Sequence, residues 1–233
     1  MTASNSPYAA HAALPLMIWL SPAFPVGSFA YSHALEWAVE AGDLPDASAL
    51  QNWIGDVLAF GVSRNDAIIL AATWRAVGEH DFAALRDAND LALALAGSRE
   101  RYVETSAQGD AFRIAIRAAW SNAAFDKADA AIKGDLAYPV AVGMAAAAHN
   151  LDLSATLDGY LTMLVSNLTS AAIRLSVIGQ TDAQHIIMAT LPAIRDLGSF
   201  AAQATVEEVG GCAFRSDIAS MRHEVQGTRL FRT

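Results

Sequence analysis

Apolar residues between Asp46 and Leu58 fall at Leu50, Trp53, Ile54, Val57 and Leu58, the i, i+3, i+4, i+7, i+8 spacing that lines one face of a helix. Asp46 stands where an N-cap belongs. Residues 46 to 138 contain no proline, so this stretch is expected to be nearly all helix. Further helices are predicted at 66–77, 82–97, 99–120 and 122–133, with Gly78, Gly97 and Gly134 as stops near their ends. Pro139 opens an alanine-rich helix reaching His149 and Asn150. Ser154 is read as the cap of a long helix ending near Gly179. Thr181 and Gln184 form a capping box before Ile186, Ile187, Leu191 and Ile194, in a helix that Pro192 should kink. Strand-like alternation is absent. The expected fold is an all-α, single-domain bundle of roughly ten helices spanning residues 1–233. Gly210-Gly211 is read as a hinge to a C-terminal tail, residues 211–233.

Composition narrows the class. With 54% hydrophobic and 17% charged residues, the chain lies far from disorder and needs a large core or a large interface. A net charge of -9 argues against nucleic-acid binding, which depends on clustered Lys and Arg. The single Cys212 excludes an internal disulfide and suits a reducing compartment. No Lys or Arg precedes Arg64, so no secretory signal is expected. The most apolar long stretch, Leu157 to Ile178, is broken by Ser166, Asn167 and Arg174, which reads as a buried helix and not a membrane span. The tail is electrically distinct. Arg215, Arg222, Arg229 and Arg232 face only Asp217 and Glu224, so it is net positive on an acidic body.

Enzymatic chemistry finds little support. The six histidines, at 11, 33, 80, 149, 185 and 223, form no ligand-spaced cluster, and His223 beside Glu224 is the best of them. Glu100 and Glu104 lie one helical turn apart, with Asp110 following, but no Glu-x-x-His partner exists for a di-metal bundle. A helical metal-dependent hydrolase using Glu100, Glu104, Asp110 and a distant histidine stands as one alternative. Neither nucleotide-binding loops nor a nucleophile elbow is present, and no cofactor is expected. What remains is a segment punctuated by proline and glycine, from Ser21 to Glu36. Its Phe29 and Tyr31 suit core packing, with partner binding the alternative.

That segment carries Ser21, Pro22, Pro25, Gly27, Ser32, Leu35 and Glu36 in the order S-P-x-x-P-x-G-x-(x)3-S-x-G-L-E, which resembles the start of the urease accessory protein F family (UreF). Three later blocks are similar to the same family. They are Glu104-Thr105-Ser106-x-Gln108-Gly109, the stretch from Asn167 to Leu175 leading into Gly179-Gln180, and Asp217 to Phe231 through His223, Glu224 and Arg229-Leu230. Departures are Ala34 for a common Gly, Val177-Ile178 for Pro-Leu, Ala183 for a usual Gly, and Gly227 for a usual aromatic.

The resemblance implies a cytoplasmic, non-enzymatic nickel-insertion chaperone subunit that forms a homodimer, without nucleic-acid or membrane binding. It would bind accessory protein D (H in some systems), recruit the GTPase accessory protein G, and serve apo-urease. Carried onto this chain, Met221 to Thr233 would face accessory protein D, while the Phe29 loop and the tail around Arg229 would recruit the GTPase. The partner-binding set is then Phe29, Tyr31, Glu36, Gln180, Met221, His223, Glu224, Arg229, Leu230 and Phe231. A further alternative is a GTPase-activating protein with Arg229 or Arg232 as an arginine finger.

Overall fold

The computed structural model describes residues 13–233, among which there are eleven α-helices, two short 3₁₀ turns and no strand. His11 lies outside the described residues. The helices are α1 Leu14–Trp19, α2 Leu35–Glu40, α3 Ala47–Phe60, α4 Val62–Gly78, α5 Phe82–Ala94 and α6 Arg99–Ala119. They continue with α7 Ala123–Ala131, α8 Tyr138–Ala148, α9 Leu153–Arg174, α10 Gln180–Ala201 and α11 Phe214–His223.

The centre is α8, almost wholly buried on every side, as expected of a helix without a polar face. Its small residues let neighbours approach closely. A Cβ on Gly143 would stand 2.7 Å from the Leu70 carbonyl oxygen of α4. On the other flank, a Cβ on Gly109 of α6 would stand 1.8 Å from the Leu136 carbonyl oxygen, so only glycine fits that crossing. The long helices α9 and α10 pack against each other outside α4. The apolar stripe of α3 is buried at every position the spacing selects, Leu50, Trp53, Ile54, Val57 and Leu58. Asp46 caps α3, its carboxylate accepting from Ala49 N at 2.9 Å.

Four local expectations need correction. Asp152, not Ser154, caps α9, because its carboxylate reaches Ala155 N at 2.8 Å. That helix stops at Arg174, short of Gly179. Ser176 there adopts a left-handed conformation (φ 61°), and Val177 N and Ser176 N return to the Ala172 and Ile173 carbonyls. The cap of α10 is Gly179, whose N–H is received by Asp182, so Thr181 and Gln184 lie within the helix. Gly210-Gly211 is no free hinge. Asn65 Oδ1 accepts from both glycine amides, and a Cβ on Gly211 would stand 2.1 Å from the Phe60 carbonyl oxygen. The tail leaves the body from a docked crossing and returns onto it, with α11 packing against α2 and α6.

Candidate functional site

The site begins with an awkward turn. Gly27 (φ 73°) leads into the 3₁₀ turn Ser28–Ala30, and His33 and Ala34 then both adopt left-handed conformations (φ 51° and 66°). Left-handed backbone is costly for residues with a Cβ, which explains why glycine suits the position Ala34 occupies. This turn aims Glu36, on the first turn of α2, toward the end of the chain. Its carboxylate accepts from Leu230 N at 2.5 Å and Phe231 N at 2.9 Å.

Residues 224–233 form a strap held chiefly by carboxylates of the body. His223, fully buried, places Nδ1 2.7 Å from Glu100 Oε2 and Nε2 3.3 Å from Glu36 Oε2. Arg229 Nη1 donates to Glu100 Oε1 at 2.6 Å. Gln226 Nε2 donates to Glu40. Thr233 Oγ1 donates to Glu104 Oε2 at 3.0 Å, while Ser32 donates to the Thr233 carbonyl oxygen through both N and Oγ. In return Glu224 accepts from Arg99 N at the start of α6, at 2.8 Å.

Beneath the strap lies a buried polar cluster. Glu104 receives Arg101 Nη1 at 2.7 Å, His33 Nε2 at 3.1 Å and Gln108 Nε2 at 3.2 Å. Burial pushes its pKa up, but Arg101 and then His33, with hydrogen bonds from Thr233 and Arg101, hold it below the usual carboxylate range. His33 is lowered to about 4, chiefly because burial penalises its charged form; Glu104 pulls it up and Arg101 pushes it down. A neutral ring fits the geometry, with Nδ1 accepting from Arg101 at 2.6 Å and Nε2–H donating to Glu104. Behind Arg101, Asp66 accepts from the Tyr160 hydroxyl at 2.9 Å and is raised to about 6 by burial, against the pull of Arg101.

At the surface, Arg174 at the end of α9 lies between two rings, its guanidinium carbon 3.5 Å from the Phe29 centroid and 4.1 Å from that of Phe231. It also donates to the Phe29 carbonyl. Arg232 N donates to the Ala30 carbonyl at 2.8 Å. Turn and strap are therefore one unit.

Of the ten residues singled out from the sequence, nine meet here or on the adjoining face of α11. Tyr31, Glu36, His223 and Phe231 are buried inside it, Glu224 is half-buried, and Phe29, Met221, Arg229 and Leu230 reach the surface. Gln180 is exposed at the start of α10 and makes no hydrogen bond to the strap. Sequence reasoning missed Arg174, Arg101, His33 and Asp66, and read Glu100 and Glu104 as a possible metal or catalytic pair. Both carboxylates are occupied with the strap and its supporting cluster, and Asp110 instead pairs with Arg113. Among the described residues, no group of three or more His, Cys, Asp or Glu side chains is placed to hold a metal ion. No described helix is long and apolar enough to cross a membrane.

Two apolar faces are left open. On α11 and just past it, Phe214, Ile218, Met221 and Val225 recur at near-helical spacing with half or more of each surface exposed. On α1, Leu14, Met17 and Ile18 are exposed beside a cleft of about 440 Å³ against the small-residue side of α9, at Ala155, Gly159, Thr162 and Ser166.

The fold is a helical body with an internally anchored tail and two exposed apolar faces. The family model described as UreF matches residues 44–191. A urease accessory protein UreF from Rhodopseudomonas palustris (strain HaA2) is 50% identical over 218 residues, covering 94% of this chain and 92% of its own length. One from Xanthobacter autotrophicus (strain ATCC BAA-1158 / Py2) is 49% identical over 220 residues, covering 94% and 90%. Another, from Rhodopseudomonas palustris (strain BisA53), is 48% identical over 238 residues and spans both chains fully. The chain belongs to the urease accessory protein UreF family.

Proposed function

We propose that this chain is a non-enzymatic, cytoplasmic scaffold in urease maturation, docking accessory protein D through α11 and the strap and recruiting the GTPase accessory protein G through the Phe29 turn. The observation that carries the reading is the strap itself. Four carboxylates of the body hold it, so that Leu230 stands 58% exposed next to Arg229, while Phe29, stacked on Arg174, stands 72% exposed, with Met221 at the edge of the α11 stripe. Exposed aromatic and aliphatic anchors set among arginines are the composition of a protein interface. The complex then serves apo-urease, and nickel is cargo passing through the assembly. The apolar cleft between α1 and α9 supports a second part of the reading, a homodimer closed by Met17 and Ile18 of each copy.

Co-purification tests each face separately. Ile218→Asp with Met221→Asp is expected to abolish capture of accessory protein D, while Phe29→Ala is expected to retain D and lose G. Met17→Asp is expected to convert dimer to monomer in sedimentation. A Phe29→Ala protein that assembles the full complex with wild-type yield would refute the assignment of the turn.

A further inference from the structure

We propose that the surface made by the Phe29 turn and the strap recognises a patch in which carboxylates frame an apolar side chain, carried by the GTPase accessory protein. This rests on the recruitment reading above and adds the chemistry of the partner. The chain is acidic overall, with a net charge of -9, yet here its acids are turned inward. Glu36, Glu100 and Glu104 are all buried and spend their oxygens on donors of the tail and of the cluster beneath it.

What faces outward is cationic. Arg229 and Arg232 are exposed, and Arg174 is half-buried with its faces covered by Phe29 and Phe231. Neither Arg174 nor Arg232 has a carboxylate within 4.0 Å among the described residues. Arg174 is held by ring stacking and the Phe29 carbonyl, and neither contact neutralises its guanidinium. Glu40, bonded to Gln226, is the exposed acid that touches the strap. Phe29 and Leu230 project among these charges. The complement is an apolar seat ringed by acids, and opposite charge steers and orients such encounters.

The test is the affinity of the GTPase accessory protein for the complex of this chain with accessory protein D, at low and high salt. Wild type is expected to weaken at least ~10-fold between about 50 mM and about 500 mM salt. Arg232→Glu is expected to weaken binding ~10-fold at low salt and to flatten the salt response, with Arg232→Gln intermediate. Phe29→Ala should weaken binding while leaving the salt response as it is. Thermal melts of each variant report folding, and Arg232→Gln keeps the test open should charge reversal disturb the strap. Binding that ignores salt and both Arg232 variants, yet still needs Phe29, overturns the charge inference and leaves recruitment standing. A wild-type complex that fails to bind the GTPase overturns both. Salt-sensitive, Arg232-dependent capture by phosphatidylserine vesicles, with GTPase binding indifferent to Arg232, would assign the patch to an anionic membrane and also overturn the proposal.

Discussion

The neighbourhood of α8 and the neighbourhood of the strap are both buried, but they are held together by different physics. Around α8, backbones approach through glycine and alanine, and apolar surface removed from water supplies the stabilisation. Around the strap, carboxylates at 36, 100 and 104 collect donors lying more than 100 residues away in the chain. The first kind of packing tolerates no added volume. The second tolerates no lost acceptor, because a buried donor without a partner is costly. The contrast separates what folds the protein from what poses its surface.

The largest effect is expected where the body has no room. Gly109→Ala would set a methyl group 1.8 Å from the Leu136 carbonyl, and relieving that clash means moving α6 off the segment before α8. Overpacking against backbone should cost at least ~3 kcal/mol, read as a large drop in melting temperature or as insoluble protein. A Gly109→Ala protein melting within a few degrees of wild type would show that the crossing is looser than described.

In the strap the expected signature is local. Glu36→Ala removes the acceptor for Leu230 N, Phe231 N and His223, a loss on the order of 3 kcal/mol confined to that region. Hydrogen exchange should accelerate across residues 224–233 while α8 stays protected. Uniform acceleration through α8 would dissolve the distinction between the two regions. The same logic applies to removing Met221 to Thr233. That deletion takes away His223, Arg229 and Thr233, leaves Glu100 and Glu104 without those partners, and should destabilise the body.

Much of the body was legible in the sequence, because its signals are local. The α3 stripe, the Asp46 cap and the proline-free run through α7 depend on residues within a turn or two of one another. The strap was legible only as an inventory. Glu36, His223, Arg229 and Phe231 were singled out, yet their mutual contacts span up to 195 positions, and no periodicity reports such a distance. Glu100 and Glu104 looked like a possible catalytic pair because spacing shows that two acids share a face and not what covers them. Arg174 was passed over for the same reason, since its stacking partners lie on two other segments.

Titration sharpens the contrast within the polar cluster. Asp66, raised to about 6, is charged and poorly solvated at pH 7.5 but neutral at pH 4.5. A folded-state pKa above the unfolded one means that stability is gained as pH falls through 6, so Asp66 works against the fold at neutral pH. His33, lowered to about 4, has the opposite sign, its contribution being lost as pH falls from about 6.5 toward 4. Asp66→Asn should therefore stabilise by ~2 kcal/mol at neutral pH and by roughly a third of that at pH 4.5, where acid loss through His33 and Glu104 dominates. Urea melts at the two pH values decide it. Equal gains at both would mean that Asp66 does not titrate in this range.

The smallest effect comes from one substitution made in both regions. In the middle of α8, Ala141→Gly removes a fully buried methyl and places glycine in a helix interior, together costing ~1.5 kcal/mol. At Ala34 the buried methyl is lost too, but the backbone is left-handed at φ 66°, where glycine carries no Cβ penalty, so relief of ~1 kcal/mol offsets most of the loss. Ala34→Gly should fall within ~0.5 kcal/mol of wild type, while Ala34→Val, β-branched in the same conformation, should cost more than ~2 kcal/mol. The three variants are compared in chemical denaturation, with hydrogen exchange of the strap as a second readout. If Ala34→Gly proved as damaging as Ala141→Gly, the turn before Glu36 would be held by its methyl packing and not by the carboxylate contacts that follow it.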